Sequence, residues 1–216
     1  NSVFMQYKKR ADGTFEDLPK MNVDFGGGLE RLLAAANNDP DIFKTDVFSH
    51  IIQGVEHEKK PQYSQNSIQS TLRVIADHLK TATFIIKDGI TPSNKEQGYV
   101  LRRLLRRALV KVRKLNQSFS INAISPIIKS VLSTYDAIYF DAENDTEKIV
   151  SIITDEIRKF QITLDKGLRE LEKFQTIDAK QAFDLYQSYG FPFEITQEIM
   201  KEKGIHLNKM EYDQEL

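Results

Sequence analysis

The sequence predicts a mainly α chain that opens with a short antiparallel β segment and a glycine corner, an α+β start followed by a long helical run. Three observations carry that class. Residues 3–7 and 21–25 read as extended, and between them Ala11, Asp12, Gly13 and Thr14 supply a turn, which makes a hairpin the economical reading. Gly26, Gly27 and Gly28 then break the pattern. Leu29, Leu32, Leu33 and Ala36 restart it at the i, i+3, i+4, i+7 spacing of an amphipathic helix, which Asn37, Asn38, Asp39 and Pro40 stop. From Phe43 onward helical periods dominate.

Helices are predicted over residues 46–55, 68–86, 98–115, 125–135, 145–174, 178–189 and 196–203 and from 209 onward, with a polar linker over 56–66. The stretch 68–86 is apolar at Leu72, Ile75, Ala76, Leu79, Ala82 and Ile86. In 145–174 the stripe Ile149, Ile153, Ile157, Phe160, Leu164, Leu168 and Leu171 steps by three and four, which marks helix packing rather than a cofactor site. Three domains are expected: residues 1–40, residues 41–175, and a small helical subdomain over 176–216 whose helices are joined by Gly190, Phe191 and Pro192. The chain opens on Asn1 without a methionine and reads as an internal piece of something longer.

Composition bounds the chemistry. With 40% hydrophobic and 28% charged residues the chain has the make-up of a folded protein with a sizeable core. The absence of cysteine removes disulfides, thiolate zinc sites and cysteine nucleophiles. His50, His57, His78 and His206 are scattered outside any HxxxH or HExxH spacing, so no metal site is expected. No apolar run approaches the roughly 20 residues that span a bilayer, and a cytoplasmic location is expected. The formal net charge of −1 advertises no polyanion, so any basic surface must be local.

One such surface stands out. Between Gly98 and Lys114 there are seven basic residues, Arg102, Arg103, Arg106, Arg107, Lys111, Arg113 and Lys114, and no acid. On a helical wheel Leu101, Leu104, Leu105, Ala108, Val112 and Leu115 fall within about a third of the circumference and the cations on the other side. Seven uncompensated positives repel one another unless a polyanion lies alongside, which points to nucleic acid. The preceding loop offers Asn94 and Gln97, whose amides suit base edges; alternatively Pro92, Ser93 and Asn94 merely cap the helix. Asp77 beside His78 reads as a buried, hydrogen-bonded structural pair rather than an acid–base couple. The glycine corner is by itself a tight strand-to-helix turn; Asp24 and Arg31 on either side add a second reading, an acid for an ammonium group and an arginine for phosphate oxygens at a helix N-terminus.

Taken together, Val3-Phe4-Met5-Gln6-Tyr7, Asn22-Val23-Asp24-Phe25-Gly26-Gly27-Gly28-Leu29-Glu30-Arg31, Arg73-Val74-Ile75-Ala76-Asp77-His78, Pro92-Ser93-Asn94 with Gly98-Tyr99-Val100-Leu101-Arg102-Arg103, and Leu185-Tyr186-Gln187-Ser188-Tyr189-Gly190-Phe191-Pro192 resemble the alanyl-tRNA synthetase family, in order and over nearly the whole chain. The resemblance implies a class II synthetase piece: the end of the aminoacylation domain, with its third class motif, followed by the helical domain that receives the tRNA acceptor stem. It implies that Asp24 holds the α-amino group of alanine, that Gly26 floors the side-chain pocket, and that Gly28 and Arg31 belong to the ATP site, with Mg2+ supplied around ATP. It also implies that Asn94 and Gln187 approach a G·U identity pair while Arg102, Arg103, Arg106 and Arg107 lie along the backbone. The family usually has Thr at the position of Phe25, Met at that of Gly27 and Asp at that of Gln187. Its first two class motifs and its editing domain have no counterpart here, so a piece inactive alone is expected. The competing reading is a non-catalytic helical RNA-binding module in which the corner is only a turn.

Overall fold

A computed structural model of the chain describes residues 2–56, 65–115 and 121–215. The expected linker over 56–66 lies largely outside these residues. Contacts group the chain into two units, Asn1–Asp46 and Val47–Leu216, each considered by itself.

In the first unit β1 (Ser2–Lys9) pairs antiparallel with β2 (Phe15–Phe25). The turn at 10–14 is closed by Gly13 at φ +86 and by Asp12 Oδ1, which accepts from Thr14 N at 2.9 Å. β2 is longer than the sequence suggested. Its register breaks between Met5 and Tyr7, and Pro19, which has no N–H to give to a ladder, sits in the unpaired stretch opposite that break. Pro19 lies outside the stretch 21–25 expected to be extended, and the irregularity accommodates it. β2 ends at Phe25, Gly26–Gly28 follow, and Gly28 is the N-cap of α1 (Leu29–Ala36). Val3, Phe4, Met5, Tyr7, Phe15, Met21, Val23 and Phe25 are all exposed.

The second unit is helical: α2 (Asp46–Glu56), α3 (Gln65–Lys87), α4 (Glu96–Leu115), α5 (Ile124–Thr134), α6 (Ala142–Lys173), α7 (Ala179–Tyr189), α8 (Phe193–Glu202) and α9 (Lys209–Glu215). α3 packs on α4, α5 and α6, and α6 also receives α4, α5 and α7. The expected apolar stripes are the core: Ile75, Leu79, Ala82, Leu101, Leu105, Ile153 and Leu164 are fully buried. In α6 the Asp141 side chain caps the start by accepting from Asn144 N. Leu168 of the expected stripe is only half-buried; its neighbour Gly167 is buried, with the ring of Phe191 where a Cβ would stand. Residues 176–216, expected as a separate subdomain, pack within this unit through the contacts of α7 with α6, α8 and α9. A capping box, Asp178 with Gln181, opens α7, and Gly190 at φ +70 closes it.

Candidate nucleic-acid interface

The basic face of α4 is where sequence and structure part. The cations lie on one side of the helix as expected, but they are not uncompensated. Arg102 lies 3.2 Å and Arg106 2.8 Å from Glu156 Oε1; Arg103 pairs with Glu194 at 2.6 Å, Arg107 with Glu198 at 3.6 Å, Arg113 with Asp165 at 2.7 Å, Lys114 with Glu202 at 2.5 Å, and Lys111 also with Glu198. Seven cations thus share five carboxylates from α6 and α8. The argument that an external polyanion must relieve their repulsion fails, because the fold itself brings the anions.

Burial divides the row. Glu156 is buried, and Arg106, whose side chain is 14% exposed, spans it and the end of α7 by donating to Gly190 O at 2.7 Å. Gly190 is required there twice over: φ is +70, and a Cβ would collide with the Arg106 guanidinium. Burial pushes the Arg106 guanidinium below its ordinary value while Glu156 pulls it back up. Arg103 and Arg107 are about one-third exposed, at 32% and 34%. Burial raises the Glu198 carboxyl, but the hydrogen bond and charge of Lys111, with Arg107 and Lys114, outweigh it and hold Glu198 below the ordinary range.

At the N-terminal end of α4 the loop 91–95 is strapped to the helix. Ser93 N donates to Gly98 O at 3.0 Å, Ser93 Oγ donates to Lys95 O at 2.9 Å, and a Cβ at Gly98 would strike Ser93 Oγ and Thr91 O. The Asn94 side chain accepts from Arg102 rather than from a backbone N–H, so it is not the helix cap that the alternative reading made it. Asn94 borders a cavity of about 300 Å³ together with Tyr99, Arg103, Tyr186, Glu194 and Tyr212. Tyr99 and Tyr186 meet edge to face, with centroids 6.3 Å apart. Gln187, the residue after Tyr186, is exposed. The cavity therefore links the Asn94 loop to the segment that carries Gln187. Tyr212 is buried and its hydroxyl has no partner among the described residues; burial, then the neighbouring Tyr99, Tyr186 and Glu194, raise its pKa.

His78 is buried, with Nδ1 3.0 Å from Asp77 Oδ2 and Nε2 3.3 Å from Arg107 Nη1. Arginine can only donate, so Nε2 accepts and Nδ1 carries the hydrogen that goes to Asp77. Both ring nitrogens are committed, as expected for a structural pair.

In the first unit Asp24 is the penultimate residue of β2, opposite Val3. Gly28 offers the first turn of α1 no side-chain cap, and its carbonyl accepts from Arg31 N at 3.1 Å and Leu32 N at 3.0 Å. Arg31, two residues into α1, is exposed and makes no ion pair among the described residues, in contrast to every cation of the α4 row. It borders an open depression of about 490 Å³ with Ala34, Ala35, Asn38 and Ile42. None of Gly26, Gly27 and Gly28 has positive φ. A Cβ at Gly26 would meet nothing within 4 Å, whereas one at Gly27 would lie 2.8 Å from the Phe25 ring. The two departures at these positions offset each other, since the ring at 25 occupies the space that a side chain at 27 would need. An exposed guanidinium in the first turn of α1 can hold an anion.

The model of the family described as tRNA synthetases class II (A) matches residues 1–216. The chain belongs to that family. It is 36% identical over 228 residues to an alanine–tRNA ligase of Listeria innocua serovar 6a, covering 100% of this chain and 26% of that protein. Against the alanine–tRNA ligase of Orientia tsutsugamushi it is 35% identical, with 100% and 25% covered, and against that of Mycoplasma genitalium 35%, with 99% and 25%. This synthetase chain spans about a quarter of the length of the curated relatives it matches.

Of the residues singled out by sequence, Asn94, Arg102 and Arg103 come together at one end of α4, with Asn94 and Arg103 on the cavity that Tyr186 also lines; Arg106 and Arg107 lie farther along the helix. Asp24, Gly26, Gly28 and Arg31 are in the other unit. What sequence reasoning missed is the acid row. Glu194, Glu198 and Glu202 recur at i, i+4 and i+8 on α8, a period that matches Arg103, Arg107 and Lys111. That match was the available signal.

Proposed function

We propose that this chain is the part of an alanine–tRNA ligase that supplies the third class II motif and binds the tRNA acceptor stem, and that it is inactive without the rest of its parent. In the parent the alanine carboxylate attacks the α-phosphorus of ATP and expels pyrophosphate to give alanyl-adenylate, and the alanyl group then passes to the 3′ end of tRNA with release of AMP. Asp24 takes the ammonium group of alanine, Gly26 leaves room beneath its side chain, and Gly28 and Arg31 receive ATP phosphates. ATP with Mg2+ would supply the activated adenylyl group; this chain's share is positioning and charge. The exposed apolar faces of β1 and β2 suit a ribbon that adds to a larger sheet, since two strands alone are marginal in water.

For RNA, Asn94 and Gln187 serve base edges. Arg103 and Arg107, one-third exposed, take phosphates while keeping their carboxylates, and Arg102 and Arg106 act from behind them, braced on Glu156. The observation that carries the reading is the strapped loop that leaves Asn94 exposed on a cavity shared with Tyr186. Its test is competition binding of acceptor-stem minihelices to the intact protein. Asn94→Ala should cost little total affinity but reduce the preference for a stem with G·U over one with G·C; an unchanged preference would remove Asn94 from the interface.

A further inference from the structure

Asn94 is exposed, yet only half of its amide is available. The Arg102 guanidinium carries N–H groups alone, so the Asn94 atom it contacts must be the carbonyl oxygen, whichever way an amide is drawn. Arg102 is itself held: its Nη2 reaches Pro92 O at 3.4 Å, and its Nε lies 3.2 Å from Glu156, a carboxylate that is 4% exposed. Ser93, Lys95 and Gly98 fix the backbone on either side of Asn94. The oxygen therefore faces α4, while Nδ2 makes no hydrogen bond among the described residues. Gln187, by contrast, has both ends of its amide free among the described residues.

We propose that Arg102 is a positioning residue that makes Asn94 a hydrogen-bond donor only, so that this end of α4 selects an acceptor in the shallow groove of the stem and leaves the guanine amino group to Gln187. The inference rests on the acceptor-stem reading. In the minor groove every pair offers purine N3 and pyrimidine O2 as acceptors and a guanine adds one donor, its 2-amino group; in RNA that groove is wide and also displays the ribose hydroxyl. A donor-only amide meets the acceptors and opposes the amino group. An acid at 94 would keep the Arg102 contact as an ion pair and turn an oxygen outward, inverting the polarity of the site without moving the loop.

The experiment measures binding of a G·U minihelix to the intact protein, with single groups removed from the stem. 3-Deazaguanosine deletes the N3 acceptor, a 2′-deoxy sugar deletes the hydroxyl, and inosine deletes the amino group. Loss of one of the three acceptors, with 2-thiouridine weakening the pyrimidine O2, should weaken the unaltered protein by about 10-fold and should cost Asn94→Asp and Arg102→Gln little. The inosine penalty should be the same in the unaltered protein and in Asn94→Asp, and should vanish in Gln187→Ala. An inosine penalty that disappears with Asn94→Asp, or an acceptor penalty that survives Arg102→Gln, overturns the proposal. A purely structural Arg102 would weaken all stems alike and is excluded by the same panel. An arm without RNA separates the two layers: the side-chain amide resonances of Asn94 should shift in Arg102→Gln and stay in Arg103→Gln. If no stem binds, the acceptor-stem reading fails, and resonances that ignore Arg102 refute the positioning by themselves.

Discussion

Replacing Glu156 by Gln should unfold the helical unit more easily than any surface change on α4. Its side chain is 5% exposed and faces Arg106 at 2.8 Å and Arg102 at 3.2 Å, with those side chains 14% and 21% exposed. Glutamine keeps the shape and one acceptor but removes the only countercharge that these two arginines share among the described residues. Breaking a buried pair from one side costs about 3–5 kcal/mol when the orphaned ion is dry; partial solvation of Arg102 and the remaining bond from Arg106 to Gly190 O place this case near ~3 kcal/mol. With a urea dependence of about 2 kcal/mol per molar for a unit of this size, the midpoint should fall by roughly 1.5 M. The assay is urea unfolding followed by circular dichroism at neutral pH, for Glu156→Gln, Arg106→Met and the double variant. The double should be less destabilised than the sum of the singles by at least about 1.5 kcal/mol, because it no longer contains the most deeply buried unpaired charge. Strict additivity would refute the reasoning and make the cluster a set of independent contacts.

Two further outcomes follow from the same helices. Gly190→Ala should destabilise by about 2 kcal/mol, since an L residue pays for left-handed backbone and the Cβ would displace the Arg106 guanidinium; unchanged thermal unfolding would contradict the cap. Glu198 is held below its ordinary 4.5 in the folded chain, so its contribution is full above that value and is lost as pH falls through the lowered folded pKa. Glu198→Gln should therefore flatten the acid side of the stability profile, and an unaltered slope below pH 4.5 would show that Lys111 does not hold it.

Local pattern was legible and tertiary pairing was not. The apolar stripes of α3, α4 and α6 were readable because burial follows helical period directly, and His78 because its neighbour Asp77 is adjacent in sequence. The basic face of α4 was legible too, but its partners Glu156, Glu194 and Glu198 lie 50 to 91 residues along the chain, where no local rule reaches. Only residues 21–25 were read as extended, whereas β2 begins at Phe15 and takes up Pro19 through a register break that no local pattern announces. Leu168 is only half-buried while its neighbour Gly167 is buried, with a ring from the α7–α8 junction against it. In the first unit β2 ends at Phe25 and α1 begins at Leu29, but the coupling of Phe25 with Gly27 needed coordinates.

The proposed function has α4 meet RNA as a row largely neutralised by its own fold, and the salt dependence of minihelix binding tests it most directly. Seven cations against five carboxylates leave a surplus of two positive charges. At about 0.9 per phosphate neutralised, the slope of log K against log salt for the intact protein should be near −2. Arg103→Gln and Arg107→Gln should each remove about one unit, and Arg106→Gln should remove none. A slope near −6 that Arg106→Gln reduces as strongly as the others would contradict the account, because it would mean that the acidic row leaves α4 when RNA arrives.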